Sequence, residues 1–158
     1  MADIGGVFSS VWKKAAIIAV VWGIIAGVVG LIPLINLIAL VAIVPLAFLI
    51  PIIVGYLSTG DYKKGAKAEI GDGATAGAVA GIVYGIASGV VGIIFAIIGS
   101  ILGVTLNTAI AGAESGAAAA GAGIVGIILA IVIGLPVGII FSLILGLIGG
   151  VIYSILKK

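Results

Sequence analysis

Between Ala74 and Leu156 the sequence carries a single charged side chain, Glu114. A water-soluble domain is roughly a quarter charged. Here 8% of the chain is charged, 64% is hydrophobic, and the mean hydropathy is +1.58. Such a run is stable where lipid replaces water. In lipid every backbone donor and acceptor must be paired within the protein, which a helix does within its own segment. The expected fold is an all-α polytopic transmembrane helical bundle of four spans with glycine-zipper packing.

Each crossing needs about 20 residues. Ala15–Ile32 forms the first span; the apolar run continues past Pro33, which sets it apart from a cleaved leader. Leu34–Leu57 forms the second, with Pro33 and Asn36 marking the turn and Pro45 and Pro51 bending the helix. The polar stretch 58–73, STGDYKKGAKAEIGDG, reads as a loop. Thr105, Asn107, Thr108, Glu114 and Ser115 place a break within Val104–Gly123. That break gives a third span near Gly77–Leu102 and a fourth within Ile124–Leu156, where Pro136 implies a kink or local break. Four shorter crossings after the loop would also fit the length. The expected organisation is an amphipathic interfacial segment at 1–12, a hairpin at 15–57, a loop at 58–73 and a second hairpin at 74–156.

All seven cations are lysines, in clusters at 13–14, 63–67 and 157–158. With four spans they fall on one side. Cytoplasmic loops hold the excess of basic residues, so both termini are expected in the cytoplasm of a multi-pass protein of the cell membrane. Asp61, Glu69 and Asp72 neutralise the lysines of the central loop, which therefore reads as solvated. A net charge of +2 gives no reason to expect nucleic acid.

Gly73, Gly77, Gly81, Gly85 and Gly89 recur every fourth residue, which puts them on one helix face. Ala15, Ala19, Gly23 and Gly27 repeat the device on the first span; Gly92, Ala96 and Ser100 form an offset stripe on the third. Gly134 and Gly138 straddle Pro136, and Gly146, Gly149 and Gly150 follow. Apolarity alone does not bring helices together in a bilayer, whereas small residues let backbones touch. Glycine-zipper packing is the expected role of Gly23, Gly27 and the ladder from Gly73 to Gly89. A glycine-lined pore wall is the alternative.

The absence of cysteine, histidine and arginine removes disulfides, thiolate chemistry, the commonest general base and the best phosphate clamp. GDGATAG at 71–77 has a passing likeness to a phosphate loop, but it opens a membrane span and lacks the required strand–loop–helix setting. Glu114, with Asn107, Thr105 and Thr108 as oxygen neighbours, is the candidate polar site. At membrane depth it would hold a proton or cation; its flank, AGAESGAAAAG, favours an external loop. No serine or threonine has a base beside it. Neither an enzyme nor a cofactor is expected.

The stretch IVGYLSTGDYKKGAKAEIGDGATAGAVAGIVYG, residues 53–85, resembles a pattern in uncharacterised glycine-rich archaeal membrane proteins. The matching positions are Gly55, Tyr56, Leu57, Gly60, Asp61, Gly65, Ala66, Gly77 and Gly81. The resemblance implies four helices in a bilayer and supplies no activity or functional residue. Two functions follow as expectations. One is a structural or accessory protein that forms a homo-oligomer, or joins a membrane-protein partner, through glycine faces. The other is a small oligomeric channel or a solute or ion transporter built around the proline-broken spans.

Overall fold

A computed structural model describes residues 3–157, with the side chains of residues 33–40 and Asn107 outside the described set. Among the described residues every regular element is a helix, with no strand. α1 spans Ile4–Gly30, α2 Pro33–Tyr62, α3 Ile70–Ala111, α4 Ala113–Leu129 and α5 Leu135–Leu156; one π-helical turn, Ala130–Gly134, joins α4 to α5. Four helical rods result, each long and apolar enough to cross a membrane.

α3 is the hub. It packs against α1, α2, α4 and α5, and α5 is also held against α2. The outward faces are apolar: Val41 and Ile110 are 80% and 83% exposed. Exposed β-branched residues at that level are stable against lipid and unstable against water. The core lies toward one end, where Val7, Val11, Val54, Ala76 and Ala80 are buried. That end also carries the described lysines.

Three boundaries differ from the sequence reading. Residues 4–12 are the first turns of α1 and not a separate interfacial element. Val7, Val11, Ala15 and Ala19 are buried along one stripe that runs straight into the span, and Asp3 caps it by accepting from the Gly5 and Gly6 amides at 3.1 and 3.0 Å. The loop at 58–73 contracts to seven residues, 63–69, because α2 continues to Tyr62. Ser58 and Thr59 are fully buried there, and burial overrides the loop propensity of Ser-Thr-Gly. The last break is Gly112 alone, at φ +89°, a left-handed conformation suited to glycine. α3, at 42 residues, is therefore about 63 Å long, twice the roughly 30 Å hydrocarbon layer.

Pro136 acts through the π turn. Proline has no amide hydrogen and crowds the carbonyl four residues back. The ladder adapts just before it: the Leu135 amide donates to the Ala130 carbonyl five residues back, the spacing of a π-bulge. α2 runs unbroken through Pro45 and Pro51. The α1–α2 turn is Leu31–Ile32 with Pro33 at the first helical position, where its missing donor costs nothing. The side chain of Asn36 lies outside the described residues.

Candidate functional site

α3 and α5 run antiparallel with the glycine ladder between them. A Cβ placed on Gly81 would lie 2.9 Å from Leu143 Cα, and one on Gly85 2.8 Å from Ile139 Cα. One on Gly77 would lie 2.9 Å from the Gly150 nitrogen, and Gly73 faces Gly150 and Ser154. These four glycines meet main chain that cannot move aside. Gly89 meets the Leu135 side chain instead. Gly23 and Gly27 receive side chains of α3: a Cβ on them would stand 2.8 Å from Val91 Cγ1 and 2.7 Å from Phe95 Cδ1. Every one of these seven glycines has its neighbour inside the chain. Within the chain, the faces of Gly73 to Gly85 are occupied by the backbone of α5, and those of Gly23 and Gly27 by side chains of α3.

α5 meets α2 in the same way. Gly149 lies under the backbone of Ile52 and Tyr56, and Gly55 under that of Gly146. Thr59 sits where α2, α3 and α5 converge. Its hydroxyl donates to the Gly55 carbonyl at 2.8 Å, lies 3.4 Å from the Gly73 carbonyl, and closes on Gly150. Ser154 does the matching work from α5, donating to the carbonyls of Glu69 and Gly150 at 3.2 Å. The Tyr153 hydroxyl donates to Ala66 at 3.1 Å, tying α5 to the α2–α3 connection. None of these hydroxyl roles was read from the sequence, although Gly146, Gly150 and Ser154 already keep the four-residue spacing of a single face.

Beyond Gly85 the helices diverge. A cavity of about 360 Å³ opens between Gly85–Ile93 of α3 and the π turn with the start of α5. A second, about 540 Å³, lies between α1 and α3, with Trp22, Gly27, Tyr84 and Phe95 in its wall. Both share Ser88, Gly92, Gly138 and Ser142, so they adjoin, and the second continues along α3 to Gly99. The Ser88 hydroxyl is turned back to the Gly85 carbonyl at 3.3 Å, the usual use of a helical serine.

Glu114 stands exposed in the first turn of α4, at the tip of the α3–α4 hairpin, where an acid favours the helix N-terminus. The side chain of Asn107 lies outside the described residues. Thr105 donates to the Ile101 carbonyl at 2.9 Å and Thr108 packs on Gly116, so neither turns to Glu114. No grouping of three metal-ligating side chains occurs among the described residues.

The lysine-bearing end holds both ion pairs seen among the described residues. Lys14 Nζ grips Asp61, at 2.9 Å from Oδ1 and 2.6 Å from Oδ2. Lys63 pairs with Asp72. The hydrogen bond to the Asp72 carboxylate, and its charge, hold the Lys63 ammonium above its ordinary pKa of 10.5, against partial burial. Comparison with family models, with curated proteins and with solved structures gives no match to this chain.

Proposed function

We propose that this integral membrane protein has a non-catalytic, accessory role. Its glycine seams build its own bundle, and it associates with a second copy or a larger membrane complex through the half of the bundle where the helices part. The observation that carries this reading is a contrast among glycines. Those from Gly73 to Gly85 meet main chain within the molecule, whereas Gly92, Gly126 and Gly138 are exposed with nothing within 4 Å of an added Cβ. Close-approach surfaces of this kind are what helices use to associate in lipid. By the lysine asymmetry, both termini face the cytoplasm.

The test is single-cysteine cross-linking in native membranes, clean here because the chain has no cysteine. Gly126→Cys should give a discrete dimer or larger species. A monomer band alone, from Gly126→Cys and Gly138→Cys alike, would overturn the reading.

The channel reading rests on the two cavities that share Ser88 and Ser142. The first follows α3 from Gly85 to Ile93 and the second from Tyr84 to Gly99. Toward the lysine end, the backbone contacts of Gly55, Gly77 and Gly146 close the seams within one molecule. Proteoliposome flux of small ions above that of empty vesicles would favour it.

A further inference from the structure

At the lysine-bearing end, Lys14 of α1, Tyr56 and Asp61 of α2, Lys64 of the connection, and Tyr153 and Lys157 at the end of α5 surround a cleft of about 440 Å³. These residues come from three separate stretches of sequence. Counted along the chain, the acids at 61, 69 and 72 cancel the lysines beside them. In space the balance is different. Asp61 is taken by Lys14 and Asp72 by Lys63. Lys64 and Lys157 have no acidic partner among the described residues. The cleft therefore holds three ammonium groups against one carboxylate.

From these groups we infer that the cleft binds the phosphate head group of an anionic phospholipid. Lys64 is held at φ +49° with Gly65 at φ +77°, and the Gly65 amide donates to the Gly60 carbonyl at 2.8 Å. This αL cap reverses the chain and keeps Lys64 at the rim of the cleft. The Tyr56 and Tyr153 rings meet edge-on, with centroids 5.2 Å apart. Tyr153 spends its hydroxyl on Ala66, whereas the Tyr56 hydroxyl has no hydrogen-bond partner among the described residues and is free to donate to a phosphate oxygen. Tyrosines of this kind sit at head-group depth. Basic clefts between spans at that depth take anionic head groups.

A lipid is favoured over a dissolved anion by what adjoins the cleft. Leu57 lines it, and Ile53, one turn deeper on α2, is exposed on the same flank. An acyl chain can follow that apolar track while its head group rests against Lys64 and Lys157.

The full chain, purified in zwitterionic detergent, is offered phosphatidylglycerol and phosphatidylcholine in equal amounts, and native mass spectrometry counts the lipid retained. The wild type should keep phosphatidylglycerol preferentially. The double variant Lys64→Gln, Lys157→Gln should lose roughly thirty-fold of that preference, while Lys67→Gln, outside the cleft, should keep it. Both double-variant positions are exposed and unpaired, so lipid-free melting should match the wild type; should the double variant fail to fold, the two single variants and the salt dependence of the wild-type preference carry the same comparison. Equal retention of the two lipids by the wild type, or a preference that survives in the variants, overturns the inference. Inorganic phosphate at the lipid concentration should not displace the lipid; full displacement would make this a site for dissolved anions and overturn the lipid assignment.

Discussion

Gly146 of α5 and Gly81 of α3 lie so close that a Cβ on Gly146 would stand 2.8 Å from Gly81 Cα. Neither helix can gain a methyl group there without the two rods parting. At Gly92 and Gly138 the same addition meets nothing within 4 Å. Gly146→Ala should therefore lower stability by about 1–3 kcal/mol, the usual cost of overpacking. Gly92→Ala and Gly138→Ala should be neutral or stabilising by up to about 1 kcal/mol, since alanine favours a helix over glycine. Thermal melts in one detergent check the contrast; equal losses at all three positions would refute it.

Ser58 is fully buried and its hydroxyl has no hydrogen-bond partner. A buried unpaired hydroxyl carries its desolvation cost without return. Ser58→Ala should raise stability by about 1 kcal/mol. Thr59→Val, one residue on, removes a hydroxyl that serves Gly55 and lies near Gly73, and should lower stability by about 0.6 kcal/mol. Opposite signs at adjacent positions are the readout, and a loss at Ser58→Ala would contradict it.

The Lys63–Asp72 pair predicts a pH dependence. Lys63 has a folded pKa raised above 10.5, so its contribution is fully present below that value and fades as pH climbs through the raised one. The pair is about a quarter exposed on each side, which limits its worth to about 1 kcal/mol or less. Wild type should melt slightly above Lys63→Gln near neutral pH, and the gap should close well above pH 10.5. A gap that widened on the alkaline side would reverse the sign of the account.

α3 separates Glu114 from the lysines by its whole length. Cysteines introduced at Lys67 and Lys157 should react with an impermeant thiol reagent from one side of the membrane, and a cysteine at Glu114 from the other. Labelling of all three from one side would contradict the crossing of α3.

The spans were legible because apolar length is a property of sequence alone, and the ladder from Gly73 to Gly89 because spacing fixes a helix face. What lay across from that face was not legible. The docking of α5 depends on Gly146 and Gly150 arriving opposite Gly77 and Gly73, and spacing within one helix says nothing of its neighbour. The end of α2 is hidden in the sequence for a related reason. Ser58, Thr59 and Gly60 have loop character locally, yet burial and the Gly55 carbonyl keep them helical. The lysine cleft was hidden because Lys14, Lys64 and Lys157 are far apart in sequence, and neutrality counted along the loop concealed their convergence.

The central claim is that main-chain contact between α3 and α5 holds the bundle together. Its most direct measurement is the melting temperature of Gly81→Ile and Gly85→Ile in a mild detergent, with Gly92→Ile as the control. The account predicts that both seam variants fail to accumulate or melt far below the wild type, while the control stays close to it. Seam variants that melt with the wild type would contradict it.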